Sequence, residues 1–225
     1  MTAYFAVPYA NRIEIMADGA SCDAKGLLIE PVDKIWPVPG KPVALTARGV
    51  LGQVKPFCDD AIATFLAAPT VDRALVTLAD AMPIHPAILY PWWFEVLIAA
   101  MSESMGPTLW YYSNHRTDGP LGPDTVPPMK LIRWQGIAAG GSGLDEHEVA
   151  ALGIARHSTG KGAKDLGLKL MEAWRRKAVV PRNEPDGPAQ HGVGCHVDHA
   201  TISAAGVVIE RIHEWPDVIG QPIRP

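Results

Sequence analysis

Short alternating runs of apolar and polar residues open the chain and predict a β-hairpin. Residues 3–7 and 12–17 are rich in β-prone side chains, and Ile13 and Ile15, two positions apart, share one face of a strand. The short connection between the runs fits a hairpin loop. Pro8 has no N–H for a sheet, so it is expected to end the first strand or to lie on its edge. The chain is therefore expected to enter a sheet directly after its first residue.

Helical periodicity follows a glycine turn at residues 47–52. We predict one helix from about residue 53 to residue 67 and a second over residues 71–82, where apolar side chains recur at helical spacing. Thr70 precedes the second helix and is suited to cap it, because its hydroxyl can accept a bond from a free N–H of the first turn. These two adjacent helices are expected to cover one layer.

The rest of the chain predicts strands and helices in separate groups. Strand patterns at residues 92–101, 108–113 and 130–138 precede helical patterns at residues 144–157 and 163–179, and a hairpin over residues 196–203 and 207–212 follows. Such segregated runs favour antiparallel sheets with helices outside them, the α+β class, over a doubly wound parallel sheet.

Composition and charge narrow the function classes. The 225 residues are 48% hydrophobic and 20% charged, which indicates a globular protein and excludes a disordered or fibrous one. We expect a single domain over residues 1–225 that ends in a Pro-rich tail at about residues 214–225. The formal net charge is −4 and the sequence has no basic stripe, so nucleic-acid binding is not expected.

Cysteine usage and hydropathy predict the compartment. Cys22, Cys58 and Cys195 are odd in number and lack metal-site spacing, which suggests a reducing compartment, with the cytoplasm as the expected location. The most apolar stretch, residues 87–101, is interrupted by a proline and a glutamate and falls short of the ~18 apolar residues of a membrane span. No signal-peptide pattern opens the chain, so the mature protein is expected to begin at or next to Met1.

Four residues near the amino terminus carry the candidate chemistry: Thr2, Asp18, Lys34 and Gly49. Asp18 lies sixteen positions and Lys34 thirty-two positions after Thr2, while Gly49 lies in the glycine turn before the first predicted helix. Together they resemble the proteasome β-subunit branch of the N-terminal nucleophile hydrolases, in which a terminal threonine, an aspartate and a lysine stand at these spacings. The resemblance implies that Thr2 is the nucleophile and that Asp18 orients Lys34. It also implies that the Gly49 N–H binds the oxyanion.

Two later segments extend the resemblance or depart from it. Gly141-Ser142-Gly143, ahead of a predicted helix, is similar to the family's glycine-serine-glycine, whose serine supports the terminal threonine, so Ser142 is a candidate supporting residue. A flexible loop is the alternative interpretation of this segment. Residues 190–195 depart from the family, which usually has an aspartate, a serine and paired glycines there. The second support for the nucleophile is therefore missing or replaced.

The resemblance implies a fold, an activity and an assembly. The fold is a four-layer α/β/β/α sandwich of the α+β class, with two antiparallel sheets between helix pairs. The activity is that of a threonine-type peptidase that hydrolyses unfolded polypeptide or peptide without a cofactor or metal. The assembly is a homo-oligomeric ring that encloses its sites, with an unfoldase or a larger particle as a further partner.

The chemistry explains why these residue types suit such positions. A threonine hydroxyl needs a base, and a free α-amino group with a pKa of ~7.7–8.0 on the same residue supplies one. A lysine ammonium group nearby keeps that amine unprotonated by like-charge repulsion. One oxyanion N–H is worth roughly 2.7–4 kcal/mol in the transition state. Because an amide nitrogen is not a base, the hypothesis requires removal of Met1, which the small side chain of Thr2 favours.

Other interpretations stay open beside this one. The chain could be a catalytically silent subunit of the same fold, retained to build a ring or a virion particle, or an amidase for small molecules. Cys195, His196, Asp198 and His199 offer metal ligands. In a strand, however, His196 and Asp198 face one side and the other two face the opposite side, which favours ordinary hydrogen-bonded histidines. Trp36 fits either a substrate pocket or the core.

Overall fold

Strands dominate the structure, a computed structural model that describes residues 2–84, 92–115, 117–118, 125–141, 144–153, 163–181 and 185–225. Within these ranges the chain forms fourteen β-strands and four α-helices. One five-stranded sheet has the order β12-β1-β2-β13-β14, with β1 at Tyr4–Pro8, β2 at Arg12–Asp18, β12 at Ala138–Gly140, β13 at His196–Ser203 and β14 at Gly206–Glu214. The other has the order β11-β8-β7-β6-β5, with β5 at Ile35–Pro37, β6 at Val43–Arg48, β7 at Glu95–Ser102, β8 at Gly106–Ser113 and β11 at Ile132–Trp134.

Two small hairpins and the helices complete the described elements. The hairpins pair β3 (Ala20–Cys22) with β4 (Leu28–Pro31), and β9 (Thr117–Asp118) with β10 (Thr125–Val126). The helices are α1 (Leu51–Ala67), α2 (Val71–Ala81), α3 (Glu146–Ala151) and α4 (Ala163–Arg175), and a 3₁₀ turn at Met82–Ile84 follows α2. None of the described helices has the length and apolar character that crossing a bilayer demands.

The predicted amino-terminal hairpin is confirmed. β1 and β2 pair antiparallel with Tyr4 opposite Ala17, and Pro8 ends β1. The other edge of β2 pairs with β13, which places Val197 opposite Asp18. As the last residue of β2, Asp18 therefore lies beside the beginning of a strand that is almost 180 positions away in the sequence.

Apolar side chains fill the space between the two large sheets and the faces against which helices pack. The cluster between the sheets includes Tyr4 and Leu97, both fully buried. α1 and α2 pack on the sheet that contains β6 and β7, and Thr70 caps α2 as predicted, its hydroxyl accepting from the Arg73 N–H. α4 packs on the sheet of β1 and β2 at Gly167, where a Cβ would lie 2.2 Å from the sulfur of Met16.

The predicted α/β/β/α sandwich is wrong, because the described residues are mostly β. They form antiparallel sheets of five, five, two and two strands with only four helices of 6 to 17 residues. The helix predicted over residues 144–157 ends at Ala151, since Gly153 has a left-handed φ of +78° that closes the last turn. Residues 154–162 lie outside the described ranges. The single strand predicted over residues 130–138 is instead divided at Gly136, also at φ +78°.

Candidate functional site

A cavity of about 460 Å³ brings together three of the predicted site residues, Thr2, Lys34 and Gly49. Thr2 lies just before β1, Lys34 just before β5, and Gly49 between β6 and α1. The apolar walls are formed by side chains from several elements, among them Val32, Trp36, Ala47, Val54 and Trp92. Trp36 fits both of its interpretations, because it lines the cavity and also packs against the core under α1 and α2.

Asp18 lies at the base of this site and is almost completely buried. Its carboxylate accepts both bonds from the Lys34 Nζ, at 3.0 Å to Oδ1 and 3.1 Å to Oδ2. Backbone N–H groups donate three more bonds, from Ala3 at 2.8 Å, Ala20 at 3.1 Å and Gly194 at 3.3 Å. A buried carboxylate is stable only when such donors replace water. The five bonds hold Asp18 in one orientation, and Asp18 in turn orients Lys34.

The same contacts anchor Thr2. The Ala3 N–H donates to Asp18 Oδ1, and the Asp18 N–H donates to the Ala3 carbonyl at 3.2 Å, so Asp18 holds both backbone polar groups of the residue that follows Thr2. Thr2 and Lys34 are each buried, with 8% and 5% of their surface exposed. A hydroxyl and an ammonium group thus line one partly desolvated cavity, where charge effects are stronger than in water. Met1 lies outside the described residues.

Gly49 occupies a position that only glycine fits. Its φ is +141°, and a Cβ there would lie 2.5 Å from the Cβ of Phe94. The chain passes from Gly49 into the first turn of α1, and Leu51 and Gly52 of that turn also line the cavity. The first turn of α1 contains no acidic residue. No carboxylate of the helix therefore neutralises the positive end of its dipole, which faces the cavity. Ser142, the remaining candidate, lies outside the described residues.

Arg48 is a cavity residue that the sequence analysis missed. Its Nη1 donates to Glu95 Oε1 at 3.0 Å, and its guanidinium group lies 5.0 Å from the ring centre of Trp93. Glu95 is buried and also accepts from the hydroxyls of Tyr4, at 3.1 Å, and Tyr111, at 2.6 Å. Burial, followed by the Glu95 charge, holds the pKa of Tyr4 well above its usual value, so this phenol stays a donor. The pairing of β6 with β7 places Arg48 opposite Glu95, a cross-strand charge pair that a strand alignment could have identified.

The segment that departs from the resembled family also reaches the site. Gly194 supplies one of the N–H donors to Asp18. Gln190 lines the cavity and donates to the Ala24 carbonyl at 2.7 Å. No local sequence pattern identifies these contacts, because they join residues 166 or more positions apart.

Of the residues considered as metal ligands, the structure groups His196 and Asp198 with Asp33 and not with Cys195 or His199, and an arginine binds this group. Ligand atoms of Asp33, His196 and Asp198 lie within 4.8 Å of one another. The Arg211 guanidinium group donates to Asp198 Oδ1 at 3.0 Å and lies 3.1 Å from His196 Nε2. Burial acts to raise the pKa of Asp198, but hydrogen bonds from His196 and Arg211 outweigh it and leave that pKa below its usual value. Arg211 thus already supplies the positive charge that a cation would bring.

No protein-family model matches the chain, and no curated protein matches it significantly. The resemblance to N-terminal nucleophile hydrolases therefore rests on Thr2, Asp18, Lys34 and Gly49 alone. Thr2, Lys34 and Gly49 line one cavity, and Asp18 bonds to Lys34.

Proposed function

We propose that the protein is a threonine-type peptidase of the proteasome-like class, with Thr2 as nucleophile and general base. The observation that carries this proposal is the Lys34 ammonium group, buried in the cavity that Thr2 lines and bonded to both oxygens of Asp18. A cation in such a place favours the ionised hydroxyl and disfavours a protonated amine.

In this mechanism the free amine of Thr2 takes the proton of its own hydroxyl as Oγ attacks the substrate carbonyl carbon. The oxyanion that forms is stabilised by the Gly49 N–H and the positive end of α1. The amine then gives its proton to the leaving nitrogen, the C–N bond breaks, and an ester on Thr2 remains. The same amine activates the water that hydrolyses the ester, so the enzyme is regenerated without a cofactor.

The cavity also indicates a substrate class. Its walls are mainly apolar and aromatic, which suits an apolar side chain of a peptide or an unfolded polypeptide. A homo-oligomeric ring and an unfoldase partner belong to the same proposal, since they follow from the resemblance. The cytoplasmic location remains the expectation that the cysteine usage gives.

The mass of the purified protein and its reaction with a peptidyl epoxyketone test the proposal. The hydroxyl of such a threonine adds to the ketone and its amine opens the epoxide, so the adduct requires both groups free on one residue. We expect protein lacking Met1 to gain the full inhibitor mass on Thr2. Thr2→Ala should gain nothing, and Thr2→Ser should retain the adduct. Thr77→Ala, on the exposed face of α2, is the matched control and should react as the unchanged protein does.

Each other outcome selects a different function. Met1 retained on protein that cleaves peptides contradicts the proposed mechanism. Free Thr2 with neither adduct nor turnover indicates the silent assembly subunit. Hydrolysis of acylated small amides but not of peptides indicates the small-molecule amidase.

A further inference from the structure

The segment that follows β14 returns across the molecule and packs beside the loop that contains Cys195. The Trp215 N–H donates to the Cys195 carbonyl at 2.8 Å. Further along, the Leu28 N–H donates to the Gln221 carbonyl at 2.9 Å, and Ile223 is buried with 3% of its surface exposed. Residues 215–225, here called the C-terminal segment, are thus an integral part of the structure.

Asp217 attaches this segment to the end of α4 through a buried ion pair. Nη1 and Nη2 of Arg175 reach the two Asp217 oxygens at 2.8 Å and 2.7 Å, and both side chains are 5% exposed. Nη2 also donates to the Arg224 carbonyl at 2.7 Å. A two-pronged arginine–carboxylate contact of this kind fixes orientation as well as distance.

The ion pair holds the loop of residues 193–195 from both sides. Arg175 Nη1 donates to the Val193 carbonyl at 3.0 Å, and Asp217 Oδ2 accepts from the Cys195 N–H at 2.8 Å. Cys195 has a left-handed φ of +64°. This conformation is unfavourable for a residue with a Cβ, so we expect Cys195 to leave it when the contacts that hold the loop are lost. Gly194, between them, is packed so closely that a Cβ would lie 2.5 Å from Asp217 Oδ2.

Gly194 connects this loop to the Asp18–Lys34 pair. Its N–H donates to Asp18 Oδ2 at 3.3 Å, and its carbonyl accepts from the Gly19 N–H at 3.1 Å. We propose that Asp217 and Arg175 are positioning residues, which hold the Gly194 N–H on Asp18 and thereby hold Lys34 in the cavity. The effect on turnover rests on the proposed peptidase function, whereas the effect on Gly194 and Lys34 does not.

The test measures Gly194 and Lys34 directly in full-length protein. The Gly194 amide proton, bonded to a carboxylate, is followed in ¹H–¹⁵N spectra, and Lys34 is followed by competitive acetylation with exposed Lys25 as the internal reference. In Asp217→Asn we expect the Gly194 amide to shift upfield. Acetylation of Lys34 relative to Lys25 should rise about tenfold, the change that one lost hydrogen bond to a charged group permits.

Arg175→Lys and Glu172→Gln provide the second variant and the matched control. Arg175→Lys keeps the positive charge but loses the two-pronged contact, and should move both readouts in the same direction as Asp217→Asn. Glu172 holds the same C-terminal segment through the Trp215 indole at 2.9 Å without touching the loop, so Glu172→Gln should move neither readout. If the peptidase function holds, the first two variants should also lower kcat while KM stays unchanged.

Two results overturn the inference. The first is a folded Asp217→Asn or Arg175→Lys protein in which the chemical shift of the Gly194 amide and the acetylation of Lys34 relative to Lys25 are both unchanged. The other is a Glu172→Gln protein that changes as much as Asp217→Asn, because general loosening of the segment would then explain both. A protein without peptidase activity fails the proposed function alone, since neither readout depends on turnover.

Discussion

Removing the charge of Asp18 should destabilise the protein more than removing the charge of Lys34. In Asp18→Asn the buried ammonium group loses its carboxylate, and an amide NH₂ is brought towards backbone N–H groups that need an acceptor. Breaking a buried pair in this way costs about 3–5 kcal/mol. In Lys34→Met the carboxylate still accepts three backbone N–H bonds, so we expect a loss of about 1.5–3 kcal/mol, the value of a hydrogen bond to a charged group.

Urea unfolding at pH 7, followed by tryptophan fluorescence and circular dichroism, measures both losses. The two variants should differ by about 2 kcal/mol, which corresponds to roughly 4–8 °C in Tm for a domain of this size. The double variant Asp18→Asn/Lys34→Met should be no less stable than Asp18→Asn alone, because the methionine removes the buried ammonium group that no longer faces a carboxylate.

The opposite order of stabilities would refute this reasoning. If Lys34→Met costs as much as Asp18→Asn, the three backbone donors do not sustain the carboxylate, and the pair itself is its main support. Additive losses in the double variant would mean that the two side chains are not coupled, in conflict with their two hydrogen bonds at 3.0 and 3.1 Å.

Three further outcomes are expected. Gly49→Ala should lose more than ~1 kcal/mol of stability by thermal unfolding, whereas Gly52→Ala, in open helical space, should gain up to ~1 kcal/mol. The lowered pKa values of Asp198 and Asp217 contribute stability that is complete above their unfolded values near 3.9 and is lost as pH falls, so urea midpoints should drop steeply below about pH 4. Burial raises the pKa of the Cys22 thiol, so alkylation should be slow at pH 7, accelerate above pH 9 and block epoxyketone labelling.

Local patterns predicted the elements better than the way they pack. The apolar spacing of residues 71–82 and the hydroxyl of Thr70 specify α2 without help from the rest of the chain. The overall class was wrong because the described residues are mostly β, with only four helices of 6 to 17 residues. A glycine at 153 ends α3 after six residues, and glycine is compatible with either continuing or ending a helix.

The sequence likewise identified only part of the candidate site. The number of residues between them grouped Thr2, Asp18 and Lys34. In the structure Thr2 and Lys34 line one cavity, and Lys34 bonds to Asp18. The chemical roles of the three residues stay predictions. Asp217 and Gly194 could not be found from the sequence. Their contacts depend on where the last segment of the chain returns, and no periodicity or motif near them encodes that return.

Asp18 is held by donors from three widely separated parts of the polypeptide: Ala3, Lys34 and Gly194. During translation, the first two leave the ribosome long before the third. The carboxylate therefore cannot reach its final set of bonds until nearly the whole chain has been synthesised, whatever the order in which the strands pair. Fragments that stop short of Gly194 would carry Thr2 and Lys34 but would lack the full set of bonds to Asp18.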